Sequence, residues 1–243
     1  MRYLMTFSYD GTNFSGYQIQ NNKRTIEEEI EKQLTKINHN ENIKIIASGR
    51  TDAHVHALSQ KAHFDMDNIS EYDLKLKLNK MLPQDIYIKN IEKVDKNFHA
   101  RYNSKEKEYI YKINLGEYNP LEVNYVYQYN KDLNIKNMIE VSEILKGTHD
   151  FTSFTASSGK KENMVRTITN ITFNMENNVL IISFKGNGFL RYQVRNMVSI
   201  LVEAGENKKT KEEVKEILDS KDRKNASKTF SPVGLYLKEV KYL

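Results

Sequence analysis

Six segments between residues 3 and 94 can be assigned a type from the spacing of their apolar residues. In the second segment, isoleucine and leucine recur at helical spacing from Ile26 to Ile37. Thr25 precedes this segment and Glu28 follows three residues later, which predicts a capping box at the start of a helix. The predicted strands are 3–9, 43–47, 60–65 and 86–94, and the predicted helices are 26–37 and 71–81. This β-α-β-β-α-β order is that of the ferredoxin-like split unit, so the sequence predicts an α+β fold.

A similar order of elements begins again in the second half of the chain. Asn177 and Asn178 separate two alternating segments, which indicates a β-hairpin. The predicted strands are 108–115, 166–174, 179–185 and 235–240, and the predicted helices are 135–145, 191–204 and 211–218. We therefore predict two ferredoxin-like α+β halves, residues 1–103 and residues 104–243.

Composition excludes several classes of site. The chain has no cysteine, so disulfides, thiolate metal sites and cysteine nucleophiles are excluded. The net charge of +5, from 37 Lys and Arg against 32 Asp and Glu, gives a mild preference for polyanionic partners. Because the start lacks a signal-peptide pattern and no apolar run is long enough to cross a bilayer, we expect a cytoplasmic protein.

The loop between two predicted strands, residues 49–57, allows two interpretations. His54 and His56 alternate, so on an extended backbone both imidazoles would face one side, as a divalent metal requires. Alternatively, Arg50 stands two residues before Asp52 and would keep that carboxylate ionised and oriented, as a nucleophile needs. A structural ion pair at a strand end is the simplest explanation of the second pattern taken alone.

The supply of further ligands argues against the metal interpretation. A His-x-His hydrolase site needs additional histidines and an aspartate from other strands of a barrel, and this chain has six histidines and no eightfold strand-helix alternation. Gly11 and Gly16 are spaced as in a phosphate loop, but Tyr17-Gln18 stands where lysine and a hydroxyl residue would be needed. We therefore predict no metal and no nucleotide site, and a turn in which both glycines adopt positive φ.

Six blocks of sequence together carry a resemblance to a known family. They are SYDGTNFSGYQIQ (8–20), ASGRTDAHVHA (47–57), FHARYNSKEKEYIYKI (98–113), GTHDFTSF (147–154), GNGFLRYQVRNMV (186–198) and SPVGLYL (231–237). Their order and approximate spacing resemble the TruA family of tRNA pseudouridine synthases over almost the whole chain. Agreement of several separate blocks is far more specific than any single motif.

The resemblance implies a role for four residues. Asp52 corresponds to the family's catalytic aspartate, and Arg50 to the arginine that pairs with it and holds the target nucleotide out of the stem. Tyr109 corresponds to the active-site tyrosine, whose ring resembles a platform for the flipped base. Arg195 corresponds to a second cation near Asp52. The resemblance further implies isomerisation of uridine to pseudouridine at positions 38, 39 and 40 of the anticodon stem-loop.

The resemblance also implies an architecture and partners. The two halves would share one continuous, mostly antiparallel sheet with the active-site cleft between them, and the protein would be a homodimer that binds tRNA without a cofactor or metal. His54 stands where the family usually has glycine, so a positive φ there would carry a steric cost. Two alternatives remain: a catalytically silent RNA-binding module on the same scaffold, suggested by His54, and the His-x-His metal-dependent hydrolase.

Basic residues in several loops are candidates for contacts with the RNA backbone. Phosphate contacts position an RNA without reading its sequence, and a solvated charged face explains any one of these residues equally well. The candidates are Lys23, Arg24, Arg101, Lys105, Lys160, Lys161 and Arg166. Because residues 159–161 lie between two elements and lack apolar side chains, we predict a mobile loop there.

Overall fold

The computed structural model describes residues 1–156 and 163–242, which contain ten strands and five α-helices. The strands are β1 (Arg2–Tyr9), β2 (Ile46–Ala47), β3 (His56–Asp65), β4 (Ile86–Val94), β5 (Glu106–Asn114), β6 (Tyr127–Gln128), β7 (Gly147–Asp150), β8 (Val165–Glu176), β9 (Val179–Gly186) and β10 (Leu235–Lys241). The helices are α1 (Ile26–Ile37), α2 (Glu71–Met81), α3 (Ile135–Leu145), α4 (Gln193–Gly205) and α5 (Lys211–Ser220). The predicted α+β class, with mostly antiparallel strands, is confirmed.

The chain divides into two compact units, Met1–Lys105 with Tyr236–Leu243, and Glu106–Leu235. The predicted halves, 1–103 and 104–243, place the last strand with the second half, whereas that strand clusters with the first unit. As a statement about functional domains, the predicted division stays a prediction. No helix in the described parts of the chain has the length and apolar character needed to span a membrane.

The first unit is built on a sheet in the order β4-β1-β3-β2, which is the strand order of a ferredoxin-like unit. Strand β1 is central and antiparallel to both neighbours, and its Tyr3, Met5 and Phe7 are fully buried. Helix α1 buries Ile26 and Ile30 at one helical turn's spacing, as the sequence pattern predicted. The β-α-β-β-α-β interpretation of the first hundred residues is therefore confirmed.

Strand β10 joins the first unit at the start of β3. It runs parallel to β3, with Tyr236 opposite His56 and Leu237 opposite Ala57. Strand β2 pairs with the other end of β3, at His63 and Ala62. Since β1 occupies one edge of β3, β2 and β10 share the opposite edge.

The second unit contains the antiparallel sheet β5-β9-β8-β7, with the short strand β6 parallel to β5. Helix α3 packs against α4 and α5. The turn between β8 and β9 has φ of 46° at Asn177 and 66° at Asn178, so both residues adopt the left-handed conformation that a two-residue type I′ hairpin requires. The predicted hairpin is confirmed.

Two local predictions are wrong. The predicted strand 43–47 is a strand only at Ile46–Ala47, because side chains of α1 take the backbone donors before it: Glu31 Oε1 accepts from the Ile45 N–H (2.9 Å) and Thr35 Oγ1 from the Ile43 N–H (3.1 Å). The capping box at Thr25 and Glu28 does not form. Thr25 does precede α1, but its buried hydroxyl makes no capping bond.

A capping box forms instead at α5. The Thr210 Oγ1 accepts from the Glu213 N–H (3.3 Å), and the Glu213 carboxylate accepts from the Thr210 N–H (2.8 Å). These two bonds satisfy backbone donors that a helix leaves without intrahelical partners.

Candidate active site

The loop that carries Asp52 is fixed at its base by a buried glutamine. Gln60 and Ser48 are both fully buried, and the Ser48 hydroxyl donates to Gln60 Oε1 (2.7 Å). The Gln60 side-chain amide donates in turn to the Gly49 carbonyl (3.0 Å). Because Gln60 lies within β3, the chain leaves β2 and enters the loop along a path set by the sheet.

Thr51, the residue before Asp52, is held from two sides. Its Oγ1 shares a buried hydrogen bond of 2.7 Å with the Tyr9 hydroxyl, and its carbonyl accepts from the Tyr17 N–H (3.1 Å). Burial raises the pKa of Tyr9 to about 12, so this phenol stays protonated at neutral pH. Asp52 therefore follows a residue with little freedom to move.

Residues 52–55 form a tight turn, which we call the catalytic turn after the role that the resemblance implies for Asp52. The Val55 N–H donates to the Asp52 carbonyl (3.2 Å), and His54 adopts φ of 64° at the third position of the turn. The His54 Nδ1 lies 2.9 Å from the Thr12 carbonyl oxygen. Since a carbonyl can only accept, Nδ1 carries a proton. Asp52 itself is half-buried.

The expectation that His54 and His56 face one side is wrong, because the backbone is not extended at His54. His54 is exposed in the turn, whereas His56 is 2% exposed on β3 and stacks on Tyr236 with ring centroids 4.7 Å apart. In the part of the chain that the structure describes, no three His, Asp or Glu side chains converge as metal ligands would. The geometry of the His-x-His interpretation is therefore not present.

Residues 10–17, which we call the glycine loop, pack on the catalytic turn. A Cβ at Gly11 would lie 2.1 Å from the Val55 carbonyl oxygen, and Gly16 has φ of 101° and lies against the backbone of residues 51–53. The prediction of positive φ holds for Gly16 and is wrong for Gly11, where the lack of a side chain permits a close approach instead. The Gly11 N–H also lies 3.1 Å from His56 Nδ1.

Arg50 is exposed, and its guanidinium donates to the Gln18 side-chain carbonyl. Gln18 was not singled out from the sequence, although it lies within the SYDGTNFSGYQIQ block. The pairing of Arg50 with Asp52 stays a prediction.

Tyr109 lies on β5 in the second unit, opposite Phe184 of β9. Its ring is 9% exposed and meets Phe189 edge to face, with ring centroids 5.1 Å apart and planes at 79°. Edge-to-face packing fixes the orientation of an aromatic ring. Phe189 was not singled out from the sequence, although it lies within the GNGFLRY block.

Arg195 lies in the first turn of α4 and is half-buried. Its Nε donates to the Phe230 carbonyl (2.7 Å), and its guanidinium carbon is 5.0 Å from the centre of the Tyr192 ring. Arg191 approaches the same ring at 4.8 Å. Tyr192 adopts φ of 66°, which is strained for a bulky residue and is typical of functional sites. The sequence pattern gave no signal for this conformation.

The predicted backbone contacts differ in their surroundings. Lys23, Arg101 and Lys105 are exposed. Arg24 forms ion pairs with Asp85 (2.7 Å) and Glu29 (3.1 Å), so its charge is already partnered.

Arg166 is half-buried, and its guanidinium donates to the Val165 carbonyl (2.6 Å). Lys160, Lys161 and the predicted mobile loop at 159–161 lie outside the described residues.

Comparisons with known proteins bear on the whole chain. Residues 5–103 and 141–243 match the model of a family whose description is tRNA pseudouridine synthase. The tRNA pseudouridine synthase A of Limosilactobacillus reuteri (strain DSM 20016) is 47% identical over 247 residues, covering 99% of this chain and 96% of the relative. The tRNA pseudouridine synthase A of Streptococcus pyogenes serotype M49 is 47% identical over 246 residues, covering 100% and 99%.

Proposed function

Since the chain belongs to the tRNA pseudouridine synthase family, we propose that it isomerises uridines 38, 39 and 40 in the anticodon stem-loop of tRNA, with Asp52 as the nucleophile. The observation that carries this proposal is the match to the family over nearly the full length of the chain. The stretch GRTDAHVHA, which contains Asp52, lies within the matched residues.

The reaction places a definite set of demands on the enzyme. The bond between N1 of uracil and C1′ of ribose breaks, the base turns, and C5 bonds to C1′ while the C5 proton leaves and N1 gains a proton. No electrons are exchanged with a second substrate. A carboxylate nucleophile, a way to hold the loose base and a surface for RNA meet these demands.

Asp52 suits the part of the nucleophile. Its backbone is fixed on one side by Thr51 and on the other by the turn to Val55, so the point from which the side chain extends is fixed. A carboxylate can attack C1′ of the ribose or C6 of the uracil, and it can assist formation of a glycal. All three routes use the carboxylate oxygens of Asp52.

Tyr109, Arg50 and Arg195 suit the parts of base and nucleotide contacts. A uridine within a stem must leave the base stack, at a cost of a few kcal/mol that contacts in the enzyme must offset. The Tyr109 ring, oriented by Phe189, can stack on the extruded uracil, and the two guanidiniums can pair with the nucleotide's polar groups.

Exposed basic residues suit contacts with the RNA backbone. Lys23, Arg101 and Lys105 remain our candidates in the described residues, because their side chains are exposed, unlike the ion-paired Arg24. We further propose that the protein acts as a homodimer in the cytoplasm, without a cofactor, as its resemblance to the family implies.

The alternative of a catalytically silent RNA-binding module was suggested by His54. The conformation of the turn weakens this argument. His54 adopts the positive φ that the turn needs, so the catalytic turn forms without glycine at this position. Histidine tolerates this conformation better than branched residues do.

Asp52→Ala tests the proposal. The purified variant should bind tRNA as the unaltered protein does but release no tritium from tRNA labelled with [5-³H]uridine, since that tritium leaves only when C5 bonds to C1′. Asp67→Ala, which alters another aspartate in an exposed loop, is the matched control and should retain full activity. Turnover by Asp52→Ala would refute the role of Asp52. Mapping of pseudouridine in tRNA from cells without the protein would test the three positions.

A further inference from the structure

His54 makes a contact that the proposed reaction leaves unexplained. Its Nδ1 donates to the Thr12 carbonyl (2.9 Å), which joins two residues that are 42 positions apart in the chain. Thr12 is also held through its other polar groups, because its N–H (2.9 Å) and hydroxyl (2.6 Å) both donate to Asp10 Oδ1. The acceptor for His54 is therefore held in place before the imidazole meets it.

This contact lies between other contacts that join the glycine loop to the region around the catalytic turn. The Tyr17 N–H donates to the Thr51 carbonyl at one end, and Gly11 lies against Val55 and His56 at the other. The His54 bond falls between them, at the one residue of the turn that adopts positive φ. A non-glycine residue in this conformation needs support from its surroundings.

We propose that His54 is a positioning residue that holds the catalytic turn, and through it Asp52, against the glycine loop. The inference rests on the proposed function in that it takes Asp52 as the nucleophile. The imidazole acts through Nδ1, which donates its proton to the Thr12 carbonyl.

The geometry of the imidazole selects the variants that test this role. In asparagine, the side-chain nitrogen is two bonds from Cβ, as Nδ1 is in histidine, and asparagine adopts positive φ readily. His54→Asn can therefore keep both the turn and the hydrogen bond to the Thr12 carbonyl. His54→Gly keeps the turn without strain and removes the hydrogen bond to the Thr12 carbonyl.

Three measurements separate a positioning role from a purely structural one: the rate constant, the tRNA dissociation constant and the thermal stability. In single-turnover tritium release, we expect the rate constant of His54→Gly to fall about threefold, a factor typical of one exposed hydrogen bond, with the tRNA dissociation constant within about twofold of the original. His54→Asn should restore the rate. Thermal stability of the glycine variant should not fall, since the φ strain at residue 54 is relieved.

Hydrogen–deuterium exchange of the free protein provides a readout that needs no activity. Amides in residues 12–17 should exchange faster in His54→Gly than in the original protein and at the original rate in His54→Asn. Equal exchange and equal rates in the glycine variant would overturn the inference, as would an asparagine variant as slow as the glycine one. If the original protein forms no pseudouridine, the proposed function fails. Hydrogen–deuterium exchange alone then tests whether His54 holds the glycine loop through its hydrogen bond to Thr12.

Discussion

Replacing Gly11 with alanine should impair both stability and catalysis, because the new methyl group has no room. Its Cβ would lie 2.1 Å from the Val55 carbonyl oxygen and 2.7 Å from the Val55 carbonyl carbon. Both are backbone atoms at the end of the catalytic turn, so no side chain can rotate away to make space. Gly11 does not have positive φ, and the whole effect is therefore steric.

The size of the effect follows from the displacement that the methyl group demands. A real Cβ stays at least 3.0 Å from such atoms, so one of the two loops must move by about 1 Å. Overpacking of this kind costs about 1–3 kcal/mol of unfolding free energy. A misplacement of about 1 Å at a catalytic group lowers a rate by a factor on the order of 100. We expect a loss of this order in the rate constant for pseudouridine formation.

Urea denaturation and single-turnover tritium release measure the two effects. Gly188→Ala is the matched control for stability, because among the described residues a Cβ there would meet only the Arg166 side chain, at 3.8 Å. Its unfolding free energy should change by less than about 1 kcal/mol. If Gly11→Ala keeps the original stability and rate, the close approach of the glycine loop to Val55 does not exist, and our account of how Asp52 is positioned is wrong.

Two further changes test other contacts. Tyr9→Phe removes the hydroxyl that pairs with Thr51 in the interior and should lower the unfolding free energy by about 1–2 kcal/mol in urea denaturation; an unchanged value would contradict the buried bond. Burial lowers the pKa of His63 from 6.5 to about 4, and its Nδ1 accepts from the Ala100 N–H (3.1 Å). The unfolded chain therefore binds more protons between pH 6.5 and 4, and stability falls as the pH is lowered through this window. His63→Asn retains an acceptor without titrating, so its loss of stability between pH 7 and 4.5 should be about 1–2 kcal/mol smaller; equal losses would contradict the assignment.

Local patterns in the sequence were sufficient for most of the secondary structure. Helices α2 and α3 have the predicted bounds, and the Ser70 hydroxyl caps α2 by accepting from the Asp73 N–H (3.4 Å). Strand β4 also begins and ends where predicted. In these segments the apolar period, the turn residues and the caps all point to the same structure.

Contacts between distant residues account for what the sequence did not predict. Thr25 has the local sequence of a cap, but its side chain is buried, while Glu27 accepts from the Ile19 N–H (2.9 Å). The approach of Gly11 to Val55 and the conformation of His54 depend on how two separate loops meet. No local sequence pattern predicts a contact between two distant loops. The resemblance to a family, in contrast, predicted a chemical role for the same loop from its motifs.

The position of β10 has a consequence for how the protein folds during synthesis. Tyr236 and Leu237 complete the edge of β3 beside the catalytic turn, and Tyr236 stacks on His56. The ribosome makes these residues only after the 130 residues of the second unit. The first unit is therefore synthesised first, but its sheet is completed last. Until residues 236 and 237 have been synthesised, part of the edge of β3 has no neighbouring strand β10 to pair with.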